Sequence, residues 1–333
     1  MKRRLLLVLL SGLLPLLLCG CKRAGEPAVP DLILRYADNQ PADYPTTAAA
    51  EYFARLVEER TGGRVRIRVF PDGLLGDEAS AFEQIQFGGV DMGRISVGTL
   101  ARFVPETEVL QLPCLFRDSE HMWRVLDGEI GERLLLDIQS AGAVGLSWFD
   151  AGARNFYTTR PVRTLEDLSG LRIRVQESAL MSRMVRLWGA TPMQLPYGAV
   201  YSALQTDQID GAENNWPSYE SSGHFEAAPY YLLDGHSRLP EAQVISSIAL
   251  QKLTALDEGY LDLLRDCARE CALYERELWK EREAESEKTA RGYGCVVTEL
   301  APGDREKLLR AAQPLYDSIG GEAKALVERI RAS

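Results

Sequence analysis

Val65-Arg-Ile-Arg-Val-Phe-Pro-Asp-Gly73 alternates apolar and basic residues over one strand's length and then turns at Pro71-Asp72-Gly73. Such alternation marks a half-buried strand. On its N-terminal side, Leu32-Ile-Leu-Arg-Tyr36 reads as another short strand. Between the two, a helix capped by Thr46 or Thr47 carries Tyr52, Phe53, Leu56 and Val57 on one face to about Arg60. On the C-terminal side a helix from about Asp77, with Phe82, Ile85 and Phe87, stops at Gly88-Gly89, and Val90 to Gly93 ends a third strand. This strand–helix–strand–helix–strand order predicts a parallel sheet with crossover helices.

The rhythm continues downstream. Helices are expected near residues 119–126 and 130–140, and Ala143 to Phe149 is a strand. Leu171-Arg-Ile-Arg-Val175 is another, followed by helices over 179–188 and 197–206 and a strand over 243–250. From Asp257 to about Arg291 no proline and, after Gly259, no glycine interrupts a stripe of Leu261, Leu264, Ala268, Cys271, Leu278 and Trp279. A helix of that length would span two lobes. A strand at 295–298 and two helices split at Gly320-Gly321 close the chain. The expected fold is α/β and two-lobed, with a cleft between the lobes and a long C-terminal spanning helix. The main part of lobe 1 is 32–150, the main part of lobe 2 is 151–250, and 251–333 packs on both.

The first residues read as an export signal. Lys2, Arg3 and Arg4 precede an apolar run from Leu5 to Leu18, too short and broken for a bilayer span. Leu18-Cys19-Gly20-Cys21 resembles a bacterial lipobox, so residues 1–20 are expected to be a lipoprotein signal peptide. Cys21 is then the lipidated residue and 21–31 a tether. Localisation is expected in the periplasm or on the outer face of the cytoplasmic membrane, lipid-anchored. The net charge of −10 becomes three units more acidic without Lys2, Arg3 and Arg4. That argues against nucleic acid as a partner. Cys114, Cys267, Cys271 and Cys295 either pair, Cys295 with Cys267 or Cys271, or stand as buried thiols.

Chemistry-bearing motifs are missing. The serine spacing in Gly93 to Gly98 is wrong for a nucleophile elbow. There is no phosphate loop, dinucleotide fingerprint or His-Glu-x-x-His, and His121, His224 and His236 are scattered. No catalytic residue, cofactor or metal is expected, and the chain is read as a binder rather than an enzyme.

Tyr197-Gly-Ala-Val-Tyr-Ser-Ala-Leu-Gln-Thr-Asp-Gln-Ile-Asp-Gly-Ala-Glu-Asn214, Leu165 to Val175, Val69 to Gly76, Gly88 to Met92 and Leu112 to Arg117 resemble the substrate-binding proteins of TRAP (tripartite ATP-independent periplasmic) transporters, the DctP-like family. The likeness runs from about Leu32 to the C-terminal helices. It implies a two-lobed periplasmic-binding-protein fold, capture of a carboxylate ligand between the lobes and delivery to integral membrane TRAP subunits. Residue by residue, it implies Arg174 as the selectivity arginine, Arg154 of Gly152-Ala-Arg154 as a second arginine, and Asn214 as the asparagine closing Gly-x-Glu-Asn. A guanidinium suits this role because its planar fork meets a carboxylate through two parallel hydrogen bonds. Arg172, on the same strand face as Arg174, is read as surface.

Glu213 to Tyr219, with His224 to Glu226 and His236 to Glu241, is similar to members that bind sugar acids such as glucuronate and galacturonate. On that basis Asn215 would contact hydroxyls and Glu78 would accept from them, Glu78 being alternatively a helix N-terminal carboxylate. Arg94 and Tyr197 are further candidates, and Trp216 is either structural or ligand-stacking. The alternatives are a C4-dicarboxylate or other organic acid as ligand, a lipid-anchored hydrolase using Glu78, or a sensor subunit.

Overall fold

The computed structural model describes residues 29–333. The signal segment, Cys21 and most of the tether lie outside them. No helix among the described residues is long and apolar enough to cross a membrane.

Eleven strands among the described residues form two sheets. They are β1 Leu32–Ala37, β2 Val65–Phe70, β3 Met92–Ser96, β4 Ala143–Phe149, β5 Ala153–Thr158, β6 Arg172–Val175, β7 Thr191–Gln194, β8 Gly211–Asn214, β9 Tyr230–Arg238, β10 Glu241–Ser246 and β11 Val296–Glu299. The first sheet runs β2-β1-β3-β10-β4, with β1 parallel to β2 and β3 and with β10 antiparallel to both neighbours. The second runs β11-β9-β5-β8-β6-β7. Each sheet packs helices over it, so the molecule is a two-lobed α/β protein.

The opening stretch forms as its pattern requires. Val65 and Ile67 of β2 are buried, while Arg66 and Arg68 point outward, Arg66 onto Glu58. The helix Pro45–Arg60 starts on a proline at its first position, where a missing N–H costs nothing, and buries Phe53, Leu56 and Val57. Asp77 caps the helix Glu78–Gln86 by accepting the Ser80 N–H at 2.8 Å. Phe87 departs from expectation. The helix ends one residue before it, so it leaves the buried face and is 82% exposed.

Three segments join the lobes. Asp150 to Gly152 links β4 to β5, and Leu239-Pro240 links β9 to β10. The third is the helix Tyr260–Gly292, 33 residues and about 50 Å long, which packs against the helix Pro45–Arg60, β4 and the helix Trp216–Ser221. Two sequence expectations need correcting here. Residues 241–246 lie in the first sheet, not with the second lobe, because the chain crosses back before β10 and inserts it between β3 and β4. The buried stripe of the long helix also contains Glu275, whereas Leu261 and Leu278 are only partly buried. The four described cysteines are free. Cys267 and Cys271 face the helix Pro45–Arg60, while Cys295 sits beside Tyr219 in the other lobe.

Candidate functional site

The lobes meet around a polar cleft lined by charged and amide side chains from both of them. All seven residues singled out from the sequence line it: Glu78, Arg94, Arg154, Arg174, Tyr197, Asn214 and Asn215. Contacts across the cleft draw the lobes together. Gln176 Nε2 donates to Ser96 Oγ at 3.1 Å, the Tyr44 hydroxyl meets Ser218 Oγ at 2.8 Å, and Arg102 pairs with Glu177 at 3.2 Å. Gly98 is required here, since a Cβ on it would overlap Gln176 Oε1.

On the first lobe, β3 holds Arg94 at 2% exposure among three carboxylates. Its guanidinium donates to Asp38, Asn39, Glu78 and Glu241, and Thr99 Oγ1 donates to the other Glu78 oxygen at 3.0 Å. Burial pushes the Glu241 carboxyl up to about 8, with Arg94 opposing and Glu78 and Asp38 assisting. Arg94 is therefore fully compensated. Glu78 is both the first residue of its helix and a member of this cluster.

On the second lobe, β5 presents Arg154, which grips both oxygens of Glu213 and donates from Nη1 to Asn214 Oδ1 at 2.9 Å. Behind them His236 Nδ1 lies 2.7 Å from Asp234 and its Nε2 lies 3.5 Å from Glu213, all buried. Burial works against charge on His236, but Asp234 and Glu213 prevail and carry it up to about 9. The row Asp234–His236–Glu213–Arg154 thus alternates in sign and neutralises itself. Because the folded value lies above the ordinary imidazole value, this row's stabilisation is fully present below about pH 6.5 and is lost as pH rises through about 9. Denaturant midpoints measured from pH 6.5 to 9.5 should fall more steeply in the parent protein than in His236→Asn. Equal slopes would show that His236 is uncharged.

Arg174 differs from both. It comes from β6 with 3% exposure and donates from Nε to the Leu195 carbonyl at 2.9 Å. Among the described residues no carboxylate lies within ion-pair distance, and no acceptor meets its terminal nitrogens. Burial pulls its guanidinium below the usual range. Nearby, the Tyr157 hydroxyl lies 2.8 Å from His224 Nδ1, and burial and then Arg174 hold His224 down to about 3, keeping it neutral. Arg172, by contrast, lies outside the cleft on Asp210 at 2.8 Å.

The remaining candidates are partly engaged. Asn215 Oδ1 caps the helix Trp216–Ser221 at Ser218 N–H (2.8 Å), and its Nδ2 donates to the Ala151 carbonyl at 2.9 Å. Its amide is thus tied to the fold at both ends while it lines the cleft. The Tyr197 hydroxyl bonds within its own lobe to Ser222 and Ser218. Trp216 is buried and stacks on Tyr231 at 3.6 Å between centroids, which is structural. Sequence reading passed over Asp38, Gln176, Glu213 and Glu241. Glu213 and Glu241 each belong to a stretch whose likeness was noted, and each is the buried partner of an arginine chosen there.

Comparison with known proteins places this arrangement. The sequence model of the family described as bacterial extracellular solute-binding protein, family 7, matches residues 36–322. A solute-binding protein of Chromohalobacter salexigens is 38% identical over 83% of this chain and 81% of its own. A TRAP periplasmic solute-binding protein of Bradyrhizobium sp. BTAi1, solved with α/β-D-galacturonate, superposes with TM-score 0.87 at 42% identity, covering 90% of this chain and 99% of its own. One from Pseudomonas putida F1, solved with D-glucuronate, gives TM-score 0.87 at 37% identity, covering 90% and 97%.

Proposed function

The chain belongs to family 7 of the bacterial extracellular solute-binding proteins, and from that membership we propose that it captures a hexuronate, D-galacturonate or D-glucuronate, in the cleft between its lobes. It then hands the sugar acid, chemically unchanged, to the membrane subunits of a TRAP transporter. The bound sugar acids of its structural neighbours support this ligand class. So does the kind of protein its relatives are: binders of solutes, not enzymes. Such proteins work in the periplasm, and acylation of Cys21 would hold this one at a membrane surface.

One observation carries the reading. Arg174 is the buried cleft guanidinium without an anionic partner among the described residues. A buried cation of this kind is stabilised when a ligand brings the carboxylate. Arg94 and Arg154 already have theirs, so the cleft suits one carboxylate rather than two. From the first sheet's side of the cleft, Glu78, Glu241 and Asn39 offer acceptors to sugar hydroxyls. Arg154 and Asn214 would flank the carboxylate.

A thermal-shift panel tests this. D-galacturonate or D-glucuronate at a thousandfold excess over its Kd should stabilise the protein by about 4 kcal/mol and raise Tm by several degrees. Succinate and malate should leave Tm in place. A shift with the dicarboxylates alone would replace the hexuronate with a C4 acid.

A further inference from the structure

The long helix carries Glu275, Trp279 and Glu283 one turn apart, facing the segment that links β4 to β5. Glu275 is 0% exposed. Its Oε2 accepts the Asp150 N–H at 2.8 Å, and its Oε1 has no partner among the described residues. Trp279 Nε1 is likewise buried and unpartnered. The link turns at Gly152 with φ +59°, tight beneath the helix: a Cβ there would stand 2.6 Å from Glu283 Oε1 and 2.9 Å from Trp279 Nε1. The Asp150 carboxylate accepts from the Gly152 N–H at 2.8 Å and from Trp123 Nε1 at 3.3 Å. Three carboxyls therefore crowd one of the segments that must bend if the lobes move.

Compensation is sparse. Arg276, the cation next along the helix, is directed onto Asp127 at 2.7 Å and stacked 3.4 Å over Trp123. Arg238, at the end of β9, faces Glu283. From β10, the Glu241 carboxyl disfavours ionisation of Glu275, and one turn back the Cys271 thiol donates to the Ala49 carbonyl. Among the described residues no cation pairs with Glu275, Arg276 offsetting its charge only weakly, and a buried, unpaired carboxylate is costly.

We propose that Glu275 is a proton-binding site at the hinge: it holds a proton while the lobes are closed and releases it when they part, so that capture of the sugar acid takes up about one proton. Bending the link strains the Asp150 N–H bond and admits water, which stabilises the ionised form. In the closed arrangement, burial first and the Asp150 carboxylate second hold the Glu275 carboxyl well above the usual range, with the Asp150 N–H pulling the other way. A closed-state value above the open-state value means closure is favoured at low pH. Affinity then weakens as pH rises, by up to about tenfold per unit. This inference rests on the proposed capture of a hexuronate by lobe closure.

Titration calorimetry of D-galacturonate in buffers of different ionisation enthalpy counts the protons taken up. Small-angle scattering of the ligand-free protein against pH reads closure without any ligand. We expect proton uptake and a radius of gyration that grows from pH 5.5 to 9, both reduced in Glu275→Gln, the uptake by about one proton, since glutamine keeps the acceptor for Asp150 and stays neutral while Glu241 still titrates. No proton uptake and a flat radius in the parent protein would overturn the proposal, as would a Glu275→Gln variant that titrates like the parent. If D-galacturonate fails to bind while the radius responds as expected, the hexuronate reading falls and the hinge site stands.

Discussion

Arg174→Ala should lower affinity for D-galacturonate by roughly 30-fold to several thousandfold, the 2–5 kcal/mol typical of truncating one partner of a buried charge pair. Folding stability should hold or rise. Arg174 is buried with one hydrogen bond and no carboxylate partner among the described residues, so its removal takes away an uncompensated charge. Arg174→Lys should fall between, because an ammonium keeps the charge but lacks the planar fork. Calorimetric titration measures the affinity and urea denaturation the stability. An alanine variant that binds as the parent does would move the carboxylate site elsewhere, with Arg154 the next to test.

Arg94→Met should do the opposite, acting first on stability. It leaves Asp38, Glu78 and Glu241 facing one another in a buried space. Breaking a buried ion pair from one side costs about 3–5 kcal/mol. The loss should depend on pH in a defined direction. The Glu241 carboxyl already sits at about 8 with Arg94 present, above its unfolded value, so the folded state holds the extra proton. Stability therefore falls as pH rises between the two values. Without the guanidinium the neighbouring carboxyls join it. Urea unfolding at pH 5 and pH 8 should show a much larger gap between variant and parent at pH 8. An equal gap at both would mean the carboxylates are not what Arg94 restrains.

These two variants also mark how far the sequence could be read. Strand β2, the helix Pro45–Arg60 and the long helix declare themselves through local periodicity, which neighbours in sequence determine. Arg174 was legible because its strand alternates and because the stretch around it resembles a known family. The states of the other arginines were not. Whether Arg94 or Arg154 is open to a ligand depends on Asp38, Glu241 and Glu213, carboxylates brought in by other strands, and no local pattern announces that pairing. That Asn215 also caps a helix was not legible, since an amide proposed for ligand hydroxyls looks the same in sequence. Glu275 escaped for a simpler reason: in a helix crowded with charge, a glutamate is assigned to water unless the partner surface is known.

The place of β10 has a consequence for how the molecule comes into being. Its partners are residues 92–96 and 143–149, made long before it, and the strands β5 to β9 are all synthesised in between. Until residue 246 has emerged, β3 presents a bare edge and β4 has no strand partner, the feature through which strands stick to foreign chains. A ribosome product truncated before that point is not a smaller working lobe but an unfinished, adhesive one. Nascent chains would need shielding from residue 96 to residue 246, nearly half of their synthesis, and expressing either half alone should give aggregates.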